Sequence, residues 1–206
     1  MSDTAISIVG LGSMGYGMAT SLVRAGHVVH GFDIAPAAMD RLVADGGISA
    51  SLDDAAAASD ILVVVVLNAA QTEAVLFGPN GWAGKLRKGA AIIACATVAP
   101  EFARTCAVQC AKLRLHYLDA PISGGAAKAA LGKLSIMASG TPATFDAATP
   151  ALDAMAETVF RLGDEAGAGS AMNAVNQLLA GVHTAAMAEA LTFGMTQGVP
   201  PRNSSR

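Results

Sequence analysis

The segment Gly10–Leu11–Gly12–Ser13–Met14–Gly15 lies between a run of β-formers, Ala5–Val9, and a stretch with helical spacing, Met14–Ala25. Three glycines at that spacing, between a strand and a helix, narrow the possible folds sharply. Gly10 permits the tight turn, Gly12 lets backbone approach a pyrophosphate, and Gly15 lets the helix pack on the strand. The helix N-terminus presents free N–H groups and the positive end of its dipole to phosphate. Asp33 closes a second run of β-formers, Val28–Phe32. It stands about 20 residues on, where a carboxylate takes the ribose hydroxyls of an adenosine. It is equally suited to starting the helix at Pro36, and the two roles are compatible. A carboxylate there repels the extra phosphate of NADP, and no arginine follows it. The cofactor expected is therefore NAD, with NADP possible.

The remaining pattern agrees with that start. Strands are expected at Ile61–Val66, Ala91–Ala94, Leu115–Leu118, Leu134–Ala138 and Thr158–Leu162. Helices are expected at Pro36–Ala44, Ser51–Ala58, Ala70–Phe77, Pro100–Ala111, Gly125–Leu131 and Pro142–Ala154. Ile61–Val66 is apolar on both faces, as a parallel strand covered on both sides must be. Alternation of this kind predicts an α/β fold of Rossmann type, a doubly wound and mostly parallel sheet. No internal repeat or low-complexity tract interrupts it.

After Leu162 the pattern changes. Gly163–Gly169 is a glycine-rich joint, and Ser170–Val199 carries no strand signal. That stretch reads as one long helix, apolar on most faces, which predicts that it is buried. The domain before it offers only one side, so a second partner surface is expected outside this sequence. The expected division is residues 1–163 as the dinucleotide-binding domain. Residues 164–206 then hold the joint and the long helix, with a stop at Pro200–Pro201 and a polar tail, Arg202–Arg206.

Composition narrows the function classes. Of 206 residues, 53% are hydrophobic and only 14% charged, with a net charge of −3. Without a basic stripe, nucleic-acid binding is not expected. The longest unbroken apolar run, Ile61–Leu67, is too short for a bilayer, so no membrane is expected. Cys95, Cys106 and Cys110 form neither a metal-ligand spacing nor an even disulfide framework. They read as reduced thiols in a cytoplasmic protein, with no metal site.

Three segments in order, GLGSMGYGMA (10–19), DAPISGGAAKAALGKLSIMASG (119–140) and GAGSAMNAVNQLLAGVHTAAMAEAL (167–191), resemble the β-hydroxyacid (3-hydroxyisobutyrate) dehydrogenase family. The SGGAAKAA and NQLLAGVH stretches are most similar to its L-threonate dehydrogenase branch. The resemblance implies NAD(P)-dependent oxidation of a small hydroxy acid, and a homodimer or higher homo-oligomer. It implies that residues 164–206 are the linking helix and the stub of a missing all-helical domain. It implies that Leu67, Asn68 and Thr97 touch the cofactor along with Gly10–Gly15 and Asp33. Thr97 also suits the N-cap of the Pro100 helix. It implies that Ser123–Gly124–Gly125 form a substrate-carboxylate turn, with Lys128 one helical turn on adding positive charge.

One position departs from the family. The catalytic lysine that follows the GAG turn falls on Asn173. An amide can donate a hydrogen bond but cannot carry the alcohol proton. Loss of a positioned acid–base group costs about 10²–10⁴-fold in rate. Asn176 and Gln177 match the polar pair after the lysine and share a helix face with Asn173, as substrate contacts or as an interhelical amide cluster. His183 reads as a core histidine, with a replacement acid–base as the alternative, and Glu189 as structural or solvated. The expected function is an impaired hydroxy-acid dehydrogenase. The alternatives are a non-catalytic NAD-binding, dimerising module and an imine-reductase-like relative.

Overall fold

The computed structural model describes residues 4–199. Met1–Asp3, Pro200–Pro201 and the Arg202–Arg206 tail lie outside the described residues. The glycine turn joins strand β1 (Ala5–Val9) to helix α1 (Gly15–Arg24), and β2 (Val28–Phe32) leads to α2 (Pro36–Ala44). Helix α3 (Leu52–Ala58) precedes β3 (Ile61–Val64), α4 (Ala69–Phe77), β4 (Ala91–Ala94), α5 (Pro100–Lys112) and β5 (His116–Asp119). Then come β6 (Ile122–Ser123), α6 (Gly125–Leu131), β7 (Leu134–Ala138), α7 (Pro142–Met155), β8 (Ala156–Arg161) and α8 (Ala168–Thr196).

Strands β1 to β5 form one parallel sheet in the order β2-β1-β3-β4-β5. The alternation along β3 and β4 explains the double winding. Ile61, Val63, Ala91 and Ile93 belong to a core with residues of α1 and α7. Leu62, Val64, Ile92 and Ala94 belong to a second core with residues of α3, α4 and α5. Each buried aliphatic side chain contributes roughly 1.5–3 kcal/mol, so both sheet faces demand helical cover. The chain leaves β1 toward β2 on one side and returns to β3 on the other. The crevice of a switch-point site therefore opens between the carboxyl ends of β1 and β3.

Several boundaries differ from the sequence-based expectation. β3 ends at Val64; Val65 still donates its N–H to the Val9 carbonyl at 2.8 Å, while its own carbonyl faces Gly10. β5 runs one residue later than expected, and β8 starts at Ala156. The two-residue strand β6 pairs antiparallel with β7, which pairs parallel with β8. That small sheet meets the large one through an antiparallel bridge between Asp119 and Ser139.

Helix α8 is left without cover, as expected of a helix whose partner surface lies outside this sequence, and the domain covers less of it than the one side expected. Only Gly169, Ser170 and Asn173 are buried on it. Its first turn packs on β5, β7 and α5. Beyond Asn173 no residue of the helix is buried, and Leu178 and Phe193 are about two-thirds exposed, at 67% and 68%. The helix runs past the sheet, so its apolar surface meets no described residue of this chain. By length and composition it also qualifies as a membrane-crossing helix, with a mean hydropathy of 1.2. The expectation drawn from unbroken apolar runs overlooked this, because small and apolar residues are spread along α8 rather than contiguous.

Candidate nucleotide and substrate crevice

Gly10 has φ +97°, and a Cβ there would stand 2.0 Å from the Val65 carbonyl oxygen. A Cβ on Gly15 would stand 1.8 Å from the carbonyl oxygen of Gly10. These two glycines close the turn onto β3. Gly12 differs, since a Cβ there would meet nothing within 4 Å. Its bare backbone faces the open crevice. The turn is held from behind: Gly10 N–H donates to the Phe32 carbonyl at 2.8 Å, and Leu11 N–H donates to Asp33 Oδ2 at 2.6 Å. Among the described residues, the N–H groups of Gly12, Ser13, Met14 and Gly15 donate to no protein acceptor. Four free donors at the start of a ten-residue helix, over a glycine that clears the approach, fit a pyrophosphate.

A cleft of about 640 Å³ extends from this turn on the Asp33 side. Gly10, Gly12, Asp33, Ile34, Leu67, Gln71 and Trp82 contribute to its walls. Phe32 and Trp82 meet edge to face at 4.8 Å between ring centroids and form its apolar floor. Asp33 holds both Leu11 N–H and Ala35 N–H through its two oxygens. It therefore locks the glycine turn and the approach to α2, while Ala35 is the residue at the N-cap position. A second recess of about 240 Å³ continues in the other direction. It is lined by Ser13, Met14, Cys95, Thr97 and Ile122, and shares Gly12, Val65, Val66 and Leu67 with the first. The two form one elongated crevice with the free N–H groups at its middle, as an extended dinucleotide requires.

Leu67 is 81% exposed at the crevice rim, and its N–H donates to Gln71 Oε1 at 2.9 Å. Asn68 lines neither recess. Its side chain accepts from Gln71 N–H at 3.0 Å and caps α4. Thr97 does not cap α5, because Ala99 holds that position. Its Oγ1 instead accepts from Asn173 Nδ2 at 3.2 Å, across 76 residues of chain. Asn173 is 1% exposed, and its Oδ1 has no hydrogen-bond partner. Asn176 and Gln177 are exposed, so no buried amide cluster forms among the described residues. His183 and Glu189 are exposed as well, so His183 is not a core residue. Gly124 (φ +133°) and Gly125 (φ +77°) make the turn into α6 after Ser123. Lys128 is exposed, with its aliphatic stem beside Gly124. Burial, with the Asp119 charge as a secondary cause, pushes the Cys95 thiol up to about 12. It therefore stays protonated beside the recess and is no nucleophile.

Phe32, Gln71 and Trp82 carried no motif, and only the fold brings them to the crevice. Asp119 is the other residue missed. Its carboxylate is 1% exposed and accepts from Gly167 N–H (2.9 Å), Ser170 N–H (2.8 Å), Ser170 Oγ (2.6 Å) and Ser139 Oγ (3.3 Å). An aspartate closing an apolar strand, two residues before a proline, was the available signal.

Comparison with known proteins agrees with this geometry. The family described as the NAD binding domain of 6-phosphogluconate dehydrogenase matches residues 5–163. An L-threonate dehydrogenase of Cupriavidus necator is 47% identical over 95% of this chain and 66% of its own length. One from Escherichia coli K12 is 44% identical over 97% of this chain and 67% of its own length. A solved structure of 3-hydroxyisobutyrate dehydrogenase from Salmonella typhimurium matches with a TM-score of 0.89 at 44% identity. It covers 96% of this chain and 70% of that one. The chain thus spans about two-thirds of the length of these relatives.

Proposed function

This chain belongs to the family defined by the NAD binding domain of 6-phosphogluconate dehydrogenase, among the hydroxy-acid dehydrogenases, and on that premise we propose that it binds NAD along the Gly12 crevice and addresses a small hydroxy acid of the L-threonate class. The observation that carries the cofactor half is the set of unpartnered N–H groups from Gly12 to Gly15 above a glycine whose Cβ direction is empty. Residues 1–163 form the cofactor domain, and residues 164–206 begin with the linking helix.

The roles follow from position. Gly12, Ser13, Met14 and Gly15 hold the pyrophosphate, and Gly10 and Leu11 keep the turn in shape. Asp33 receives the ribose hydroxyls, and its charge favours NAD over NADP. Leu67 covers the cofactor at the rim, while Asn68 acts by fixing the start of α4. Thr97 and Asn173 stand at the reacting end. Ser123, Gly124 and Gly125 present backbone to the substrate carboxylate, with Lys128 adding charge nearby. Asn176 and Gln177 extend the polar stripe of α8 toward the same substrate.

Bound NAD+ supplies the hydride acceptor. Oxidising an alcohol also requires a group to take the hydroxyl proton, and Asn173 cannot. Its buried Oδ1 can accept a hydrogen bond and orient the hydroxyl, which leaves the reaction without a positioned base. That observation supports a second reading, in which the chain is an NAD-binding module that does not turn over. In either case the exposed apolar side of α8 supports association with protein, as a homodimer or larger homo-oligomer. Asn176, Gln177, His183 and Glu189 on that helix favour a protein partner over lipid. Three free buried cysteines and the bacterial relatives support a cytoplasmic setting.

Titration with NADH and NADH formation from L-threonate, for the chain and for Asn173→Lys, test the proposal. The expected result is binding by both and a 10²–10⁴-fold gain, to order of magnitude, for the lysine variant. A chain that binds no dinucleotide refutes both readings. Equal turnover by the two forms overturns the role given to Asn173.

A further inference from the structure

Asp119 does not line the crevice, yet it is the buried carboxylate that joins the sheet to α8. Its backbone is fixed twice to Ser139, by N–H donation at 3.0 Å and by accepting at 2.9 Å. Its side chain then reaches the opening turn of α8 from below. Oδ2 receives the N–H groups of Gly167 and Ser170, and Oδ1 receives the Ser170 hydroxyl. Gly167 occupies the N-cap position with φ +106° and brings no side chain of its own to cap α8. An anion at this end also meets the positive end of a 29-residue helix.

Two further contacts define the register. Gly169 N–H donates to Ser139 Oγ at 2.9 Å. A Cβ on Gly169 would stand 2.4 Å from the Met137 carbonyl oxygen and 2.8 Å from that of Asp119. The turn 167–170 therefore lies against the strand ends with no room to slide. Asn173 is one helical turn beyond Ser170, on the same face, and reaches Thr97. Downstream of Asn173 no residue of α8 is buried, so nothing further along the described helix corrects its rotation.

We propose that Asp119 is a positioning residue: by holding the N–H groups of Gly167 and Ser170 it sets the rotation of α8 that brings residue 173 against Thr97 at the reacting end of the crevice. It touches neither cofactor nor substrate in the reading above. The proposal rests on that reading only for the purpose of the alignment, while the alignment itself is measurable without turnover.

The test is a cross-link in the full chain. Thr97→Cys and Asn173→Cys are introduced together with Cys95→Ala, and disulfide formation under mild oxidant is timed with Asp119, Asp119→Asn and Asp119→Ala. The asparagine is the informative variant. It keeps the shape but turns an NH2 group toward one set of donors, and backbone N–H groups cannot reverse as hydroxyls can. The expected result is a cross-link that forms readily with Asp119 and at least roughly tenfold more slowly with Asn or Ala, since a lost charge-assisted bond shifts an equilibrium by about that factor. The cooperative melt and NADH binding, read by energy transfer from Trp82, are expected to persist. Cross-linking at the same rate in Asp119→Asn overturns the proposal, as does no cross-link with Asp119 present. Loss of the folded melt together with the cross-link in both variants also overturns it, because Asp119 is then a general fold residue. Failure of the Asp119 chain to bind NADH, with the cross-link intact, refutes the cofactor reading alone.

Discussion

Gly10 and Gly12 sit two residues apart in one turn, yet substituting them is expected to damage different properties. At Gly10 a methyl would stand 2.0 Å from the Val65 carbonyl oxygen, at φ +97°. Ordinary contact for such a pair is about 3.5 Å, so the end of β3 would have to yield by more than an ångström. A left-handed backbone costs a non-glycine residue about 1–2 kcal/mol, and local overpacking adds about 1–3. Gly10→Ala should then lose about 2–5 kcal/mol, which lowers Tm by about 5–20 °C in a chain of this size. At Gly12 an added Cβ meets nothing. Gly12→Val should melt within a few degrees of the parent while its side chain enters the space above the free N–H groups. Displacing two N–H contacts to phosphate, at about 1.5 kcal/mol each, weakens NADH binding about 10²-fold. Differential scanning fluorimetry and NADH titration through Trp82 emission separate the two effects. A Gly12→Val chain that melts normally and binds NADH within threefold of the parent would refute the crevice assignment.

Asp33→Ser removes the acceptor for Leu11 N–H and the charge beside the ribose site. Calorimetric titration should show NADH binding weakened and the preference over NADPH lost; an unchanged preference would exclude the charge argument. Asn173→Leu removes a buried unpaired carbonyl, which costs about 1–3 kcal/mol when left unsatisfied. Chemical denaturation should show little or no loss of stability despite the broken bond to Thr97, whereas a loss above about 3 kcal/mol would mean that Asn173 is already well partnered. Burial pushes the Cys106 thiol up to about 11 and the Cys110 thiol up to about 12, from an ordinary value of 9.0. A raised acid favours the folded state while protonated. The contribution is complete below pH 9 and is lost as pH rises toward 11–12. Equilibrium unfolding should show stability falling over that window and less steeply in Cys110→Ala; identical profiles would contradict it.

Much of this architecture could be read from residue patterns because the signals were local. A run of β-formers, a glycine spacing and a helix start identify β1–turn–α1 from twenty residues of chain. The alternation in Ile61–Val64 reveals two covered faces before any helix is placed. β6 escaped because two residues carry no period. The apolar composition of α8 signalled a need for cover beyond this sequence, but not that the domain itself covers only its first turn. Thr97 and Asn173 each gave a motif position, but their contact depends on packing across 76 residues. Asn68 had the sequence of a crevice residue and the geometry of a helix cap, since Asn before a helix suits both. Asp119 lacked any motif of its own, because its partners are backbone N–H groups that no sequence pattern displays.

The clamp beneath the first turn of α8 has a mechanical consequence. From Asn173 to Thr196 the helix rises about 35 Å, and among the described residues it is held firmly only at its base. It behaves as a lever arm, and a tilt of one degree at Gly167–Ser170 displaces the far end by about 0.7 Å. Whatever binds along that arm acts on residue 173 with the same leverage in reverse. A small reorientation at the distal surface would therefore reach the crevice as a rotation of the turn that Asp119 holds.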